Sequence, residues 1–494
     1  MTNEHGKSDS PIVPMKYANK VGLNSTAAEQ MEGSGLTEGN ETQQNTLQTQ
    51  GWESVKSALD LVHRKAKEDK TTRFTALMHH IYNINTLKVA YYSLKRDAAP
   101  GVDNETWSSY GEALEENLQN LSEQLKRGAY RPKPVRRVYI PKPDGRKRAL
   151  GVTALEDKIV QKATVTVLNA IYEADFVGFS YGFRPGRSQH NALDALYAAI
   201  MTRKVNWVLD ADIRDFFTSV KSEWLVKFIE HRIADRRVVR LVQKWLKAGV
   251  LEDGKIESNE EGVPQGASAS PALANVYLHY AYDLWVQWWR KRRARGEVTV
   301  VRFADDTIVG FQYESDAEQF LKELKERFLK FGLELHPEKT RLIQFGRYAM
   351  LNREEGGKGK PETFSFLGFT HGCATTKDGK FTVVRRTIKK RLRAKVKEIK
   401  DELRRRMHAP IKLTGQWLHS VLLGHFRYYG VSSNSQAMAQ IRYQVIRAWR
   451  HVLRRRSQRQ RAINWQQMKR ISDRWLPKPR IYHSHPLGRI GVIT

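Results

Sequence analysis

Two short stretches break the pattern expected of buried strands. Val300-Val301-Arg302-Phe303-Ala304-Asp305-Asp306-Thr307-Ile308-Val309-Gly310-Phe311 has two apolar arms around Ala-Asp-Asp and reads as a tight hairpin tipped by two carboxylates. Asn206-Trp207-Val208-Leu209-Asp210-Ala211-Asp212-Ile213 is a second apolar strand that runs into acid. Elsewhere the spacing is helical. Phe74, Leu77, Met78, Ile81, Leu87, Tyr91 and Leu94 predict one helical stretch from about Thr72 to Asp97, stopped by Ala98-Ala99-Pro100-Gly101. Tyr110, Leu114, Leu118, Leu121 and Leu125 predict the next amphipathic helix. Val138 to Arg148 reads as a strand and a basic loop turned at Asp144-Gly145. A helix near 315–331 is expected to carry a capping box, Ser315 with Glu318, and a stop at Gly332. Residues 1 to about 50 are polar and read as a disordered tail.

From Val205 onward the predicted order is strand, helices, strand, strand, helix, strand, the split βαβ pattern of ferredoxin-like α+β folds. In that arrangement the strand carrying Asp212 lies beside the hairpin carrying Asp305. Asp210 is read as turned to the other face, leaving Asp212 as the candidate. Adjacent carboxylates repel one another and resist burial unless a cation neutralises them. Mg²⁺ suits such a site, since it takes one or two carboxylates plus substrate phosphates. Two ions roughly 3.5–4 Å apart would make a phosphoryl-transfer site. For the hairpin alone, a solvated Asp turn is an equally good reading.

Charge changes the picture next. The 494 residues carry a formal net charge of +31, which predicts a polyanionic partner because neutralised phosphates release counterions. A basic membrane-binding protein is the competing class, but no apolar run reaches spanning length and no signal peptide opens the chain. The single cysteine, Cys373, excludes an internal disulfide and a multi-cysteine zinc site, and suits a reducing cytoplasm. After about residue 380 the chain is expected to be helical and basic, with Arg385-Arg386, Lys389-Lys390-Arg391, Arg404-Arg405-Arg406 and Arg454-Arg455-Arg456. A solvated helix face is the default for such runs. Trp417, Phe426, Tyr428, Tyr429, Trp449 and Trp465 are interleaved with them, which suits either RNA or helix packing.

The ordered series Tyr139-Ile140-Pro141-Lys142, Ser180-Tyr181-Gly182-Phe183-Arg184-Pro185-Gly186-Arg187-Ser188, Ala211-Asp212-Ile213-Arg214-Asp215-Phe216-Phe217, Gly262-Val263-Pro264-Gln265-Gly266, Phe303-Ala304-Asp305-Asp306, His336-Pro337-Glu338-Lys339-Thr340 and Phe366-Leu367-Gly368-Phe369 resembles group II intron reverse transcriptases, intron-encoded proteins that are also maturases. The region of Trp417, Tyr428-Tyr429-Gly430 and Trp449 looks like the maturase segment of that family. The resemblance implies a right-hand polymerase, with fingers and palm over 51–375 and a helical thumb and RNA-binding maturase region over 376–494. Asp212, Asp305 and Asp306 fall on its catalytic acids, which would hold two Mg²⁺ ions. Gln265 and Gly266 fall on the loop beside the incoming nucleotide, and Lys142 and Arg148 on residues that hold its triphosphate. Phe217 falls on the ring under the sugar that excludes a 2′-hydroxyl; a core aromatic beside Phe216 is the alternative. Lys339 matches a lysine near the leaving pyrophosphate, with a solvated lysine as the alternative.

Three features depart from the family pattern. Phe303 stands where a Tyr is usual, Asp215 and Thr218 stand where Gly and Asp are common, and no zinc-dependent HNH endonuclease is expected. His483 and His485 are read as surface residues. The resemblance implies an RNA-directed DNA polymerase that also binds intron RNA and assists splicing and mobility. Its partners would be group II intron RNA, a DNA target and primer, and deoxynucleoside triphosphates, in a cytoplasmic ribonucleoprotein. A maturase with an idle polymerase, or a related enzyme recruited to defence, would share many of these features.

Overall fold

The computed structural model describes residues 44–141, 147–252, 255–257, 266–359, 361–456 and 463–489. Five helices come first: α1 (Gln44–Glu68), α2 (Met78–Tyr82), α3 (Ile84–Tyr92), α4 (Trp107–Glu112) and α5 (Leu114–Arg127). They are followed by β1 (Val135–Pro141), β2 (Lys147–Val152), α6 (Leu155–Asp175) and α7 (Gln189–Thr202). Next come β3 (Trp207–Ala211), α8 (Phe216–Ser219), α9 (Ser222–Glu230), α10 (Arg236–Leu246), β4 (Val250–Glu252) and β5 (Lys255–Glu257). Helices α11 (Ser270–Leu278) and α12 (Leu284–Arg292) are joined by a wide π turn, His279–Asp283. The hairpin β6 (Val298–Phe303) and β7 (Asp306–Phe311) precedes α13 (Glu314–Lys330), β8 (Arg341–Gln344) and α14 (Arg347–Glu355). Strands β9 (Phe364–Phe366), β10 (Phe369–Thr375) and β11 (Phe381–Thr387) lead into α15 (Lys389–Arg405), α16 (Ile411–Tyr429), α17 (Ser435–Arg456) and α18 (Trp465–Trp475).

The fold is mixed α+β. Strands β6-β7-β3-β8 form one antiparallel sheet in that order. Numbered along the chain the order is 2-3-1-4, which is the split βαβ arrangement expected from the strand pattern. The first strand therefore sits in the middle, flanked by the hairpin. Leu209, Val300, Val309 and Phe311 face a helical layer with Phe228, Tyr277 and Phe320. Val208, Val301, Ile308 and Ile343 face a second cluster shared with α7 and β9–β11. A third cluster, centred on Leu418, Phe426, Ile441 and Trp449, holds the C-terminal helices together.

Several local expectations are corrected. The stretch from Thr72 to Asp97 is two short helices, because the Asn83 side chain accepts hydrogen bonds from the backbone N–H groups of Asn85 and Thr86 and so caps a new one. Phe74 lies outside both, in a backbone bridge to Ile233. Helix α13 begins at Glu314, so Ser315 is inside the first turn and no capping box forms. The first helix starts at Gln44, ahead of the tail boundary expected near 50; residues 1–43 are outside the described part. Past 380 the chain first forms strand β11, and alternation there buries Arg385 while exposing Arg386.

Candidate active site

The hairpin turn is the centre of the site. Phe303 pairs with Asp306, which leaves Ala304 and Asp305 as a two-residue connection, and Ala304 takes a φ of 56°. A non-glycine residue in that region needs support from its surroundings. Here the support is Arg302, buried beneath the turn. Its Nε and Nη2 donate to the two carboxylate oxygens of Asp283 at 2.7 and 2.6 Å. Its Nη1 donates to Asn275 Oδ1 at 3.2 Å and to the carbonyl of Ala304 itself at 2.9 Å. A second bond from Nη2 reaches Ser180 Oγ at 2.7 Å. All five guanidinium N–H groups thus have acceptors, as a buried cation requires.

The segment Phe179–Gly182 lies along β6 and closes the other side. Arg302 N donates to Phe179 O at 2.9 Å, and Tyr181 N donates to Arg302 O at 2.8 Å. Asn275 Nδ2 donates to Gly182 O at 2.7 Å. A Cβ at Gly182 would stand 2.3 Å from Ala304 N, so only glycine fits against the turn. Arg302, Asp283 and Asn275 lie outside the candidate site residues, and Ser180 enters only as the first residue of one motif. The available signal was a cation inside an otherwise apolar strand, where an unpaired charge is untenable.

Asp212 follows the end of β3. Its carbonyl accepts from His336 N at 2.8 Å, Ile213 bridges to Leu335, and Arg214 N donates to Glu334 O at 2.8 Å. That docking brings Lys339 Nζ to 2.6 Å from Asp212 Oδ2. The β3–β7 register pairs Ala211 with Thr307. One further step sets Asp212 level with Asp306 and beside the turn residue Asp305. Asp212 and Asp305 are half-buried and Asp306 is exposed. Among the described residues, however, no three His, Cys, Asp or Glu side chains are grouped to hold a metal ion. The backbone positions converge; the carboxylates are not gathered. Their chemistry fits a hard divalent cation: they are oxygen donors still open to solvent, and one already pairs with the cationic Lys339 side chain.

Asp210 needs a correction. Residues two apart share a face of a strand, so Asp210 lies on the side of Val208 and not opposite to Asp212. Burial pushes its carboxyl up to about 6, Arg341 opposes that shift, and the negative charge of Asp212 adds to it.

Phe217 is half-buried, its ring 5.4 Å from that of the fully packed Phe216. Both follow Asp215, whose φ of 42° is left-handed. This accounts for why glycine would be at ease in that position. Gly266 has a φ of 107°, and a Cβ there would approach Gly151 O to 2.7 Å, so it packs against the end of β2. Arg148 pairs with Ile140 across β1 and β2. Lys142 and Gln265 lie outside the described residues.

Of the basic candidates, Arg385 is overturned as an RNA contact. It is buried, donates from Nη1 to Asp194 Oδ1 at 2.9 Å, and lies over the Tyr197 ring. Arg386, Lys389, Lys390, Arg391, Arg454 and Arg455 are exposed. Arg404 pairs with Asp401, and Arg405 and Arg406 pair with Glu402. Arg406 also covers Trp417, and Arg456 donates to the carbonyls of His408 and Ala409. His485 is exposed, with Nε2 3.1 Å from the Tyr197 hydroxyl. His483 is not a plain surface residue: it is half-buried and stacks on His190 at 3.5 Å.

The backbone thus sets a turn-borne acid pair beside a second acid on a 2-3-1-4 antiparallel sheet. Residues 140–371 match the family described as reverse transcriptase (RNA-dependent DNA polymerase). The matched segment is a little under half of the chain, and the chain is similar in sequence to proteins named as a group II intron-encoded protein and an intron maturase. It is 38% identical over 227 residues to Protein YkfC of Escherichia coli (strain K12), covering 42% of this chain and 59% of that protein. It is 35% identical over 225 residues to the group II intron-encoded protein LtrA of Lactococcus lactis subsp. cremoris, covering 45% of this chain and 37% of LtrA. With the Nuclear intron maturase 2, mitochondrial, of Arabidopsis thaliana it shares 27% identity over 112 residues, 22% of this chain and 14% of the relative. The chain thus spans less than two thirds of each of these relatives. Among the described residues no helix is long and apolar enough to cross a membrane.

Proposed function

We propose that this protein is an RNA-directed DNA polymerase of a group II intron, which also binds the intron RNA and assists its splicing and mobility. The observation that carries the reading is the Asp305-Asp306 turn set beside the end of the Asp212 strand, inside the segment that matches reverse transcriptases. In this reading the four-stranded sheet is the palm, residues 51–375 make fingers and palm, and 376–494 make the thumb and maturase region. The protein would work in a bacterial-type cytoplasmic ribonucleoprotein with intron RNA, a DNA target and primer, and deoxynucleoside triphosphates.

Asp212, Asp305 and Asp306 would hold two Mg²⁺ ions, whose chemistry is to stabilise the attacking and leaving oxygens. The protein's own contribution is positional. Arg302 fixes the turn, so Asp305 keeps its place. Lys339 neutralises Asp212 at rest and is well placed to turn to the pyrophosphate as it departs. Phe217 has a partly open ring, as a barrier under the sugar needs. Lys142, Arg148, Gln265 and Gly266 would grip the nucleotide.

Extension of a DNA primer on an RNA template tests the assignment. Deoxynucleotides should be incorporated, EDTA should stop synthesis, and added Mg²⁺ should restore it. Purified, folded protein that cannot extend the primer under any divalent-ion condition would refute it.

A further inference from the structure

Helix α10 carries a cationic face that none of the roles above uses. From Arg236 to Leu251 the chain contains no Asp or Glu. Val238, Val239, Leu241, Val242, Trp245 and Leu246 are buried in the helical layer behind the four-stranded sheet. Arg236, Arg237, Arg240, Lys244 and Lys247 fall within about 100° of the opposite arc at 3.6 residues per turn. All but the half-buried Lys244 are exposed. Lys244 Nζ donates to Gly128 O at 3.3 Å and to Tyr130 O at 2.6 Å. Those bonds join the face to Lys126, Arg127 and Arg131, which are also exposed or nearly so.

Helix stability does not explain this arrangement. Arg236 and Arg237 occupy the first turn, where the macrodipole favours acids and disfavours cations. The acids within the patch offset little of it. Asp235 lies 3.9 Å from Arg237 Nε, but its oxygens already accept from the backbone N–H groups of Leu77, Met78 and Arg237. Glu123 is 3.7 Å from Lys126 and 3.5 Å from Arg127, both loose pairs.

The kind of partner follows from what the face lacks. Among the described residues none of the exposed large apolar side chains lies on α10 or at the end of α5. A protein partner would want an apolar centre to the interface. A single strand would want exposed rings to stack on. A row of arginines and lysines without either suits the phosphate backbone of a double helix, read by charge and shape.

We propose that the α10 face, extended by Lys126, Arg127 and Arg131, is a second RNA-binding surface that grips the backbone of an RNA double helix. It is separate from both the acid-bearing face of the sheet and the C-terminal helices. Choosing RNA over DNA rests on the reading that structured intron RNA is the partner.

The test uses the full chain and a 20-base-pair RNA duplex, with a DNA duplex of the same sequence alongside. In the Arg236→Gln/Arg240→Gln/Lys247→Gln variant the affinity for the RNA duplex should fall. The slope of log affinity against log salt should flatten by up to about 0.9 for each phosphate no longer neutralised. Arg236→Lys/Arg240→Lys should retain most of the affinity, since point charge is kept, and thermal unfolding of both variants should match wild type. Unchanged affinity and slope in the Gln variant would overturn the proposal, as would a loss confined to the DNA duplex or a Lys variant as weak as the Gln one. Primer extension by the wild type reads the polymerase assignment separately, so the two can fail independently.

Discussion

The sheet around the acidic turn and the C-terminal helices use the same residue, arginine, in opposite ways. At the turn, Arg302 is buried and all five of its donors are bound by Asp283, Asn275, Ser180 and Ala304. In the helices, Arg404 and Arg405 make only local pairs with acids on the same helix and stay largely in water. Arg454 and Arg455 are exposed at the end of α17. The first kind shapes a site, because a buried cation is held in place by the cost of leaving it unpaired. The second kind is available to a polyanion and contributes little to the fold. Net charge alone does not separate them.

Breaking the buried set should have the largest effect. Asp283→Ala leaves the Arg302 guanidinium buried without its carboxylate and should destabilise the protein by about 3–5 kcal/mol, read by chemical denaturation. A cost below about 1 kcal/mol would mean that the clamp under the turn is dispensable. Next in size is nucleotide choice. Phe217→Ala should raise ribonucleotide use relative to deoxynucleotide on the order of 10- to 100-fold, since it removes a steric barrier. Unchanged discrimination in steady-state kinetics would leave Phe217 as a packing residue beside Phe216. The smallest effect is expected at Asp215, which holds a left-handed backbone without being glycine. Asp215→Gly should gain up to about 1 kcal/mol of stability, less what glycine loses to chain entropy. A clear destabilisation would show that the Asp215 side chain itself contributes.

Much of the sheet was legible because its signals are local and periodic. The hairpin around Asp305, the strand ending at Asp212 and the strand order all follow from alternation and spacing. What escaped depends on contacts between distant segments. Nothing near Arg302 in the chain announces Asp283 or Ser180 as partners, and the π turn that delivers Asp283 has no pattern of its own. Arg385 departs from the basic surface around it because the run of basic residues crosses from a strand into a helix. The period of two in β11 turns one arginine inward to Asp194 and its neighbour outward. The same period puts Asp210 on the face of Val208 and Asp212. Asn83 splits a helical stretch because its side chain competes for backbone N–H groups, an effect apolar spacing does not record.

The most direct test of the account pairs two variants and two assays. Asp305→Ala and Arg454→Gln/Arg455→Gln/Arg456→Gln are each measured for DNA synthesis on a short primed RNA template and for binding of structured RNA. The account predicts a crossover. The Asp305 variant should lose synthesis and keep RNA affinity, while the arginine variant should lose affinity and salt dependence and keep most of the short-template synthesis. Full synthesis by Asp305→Ala would contradict the assignment of the turn as the catalytic centre.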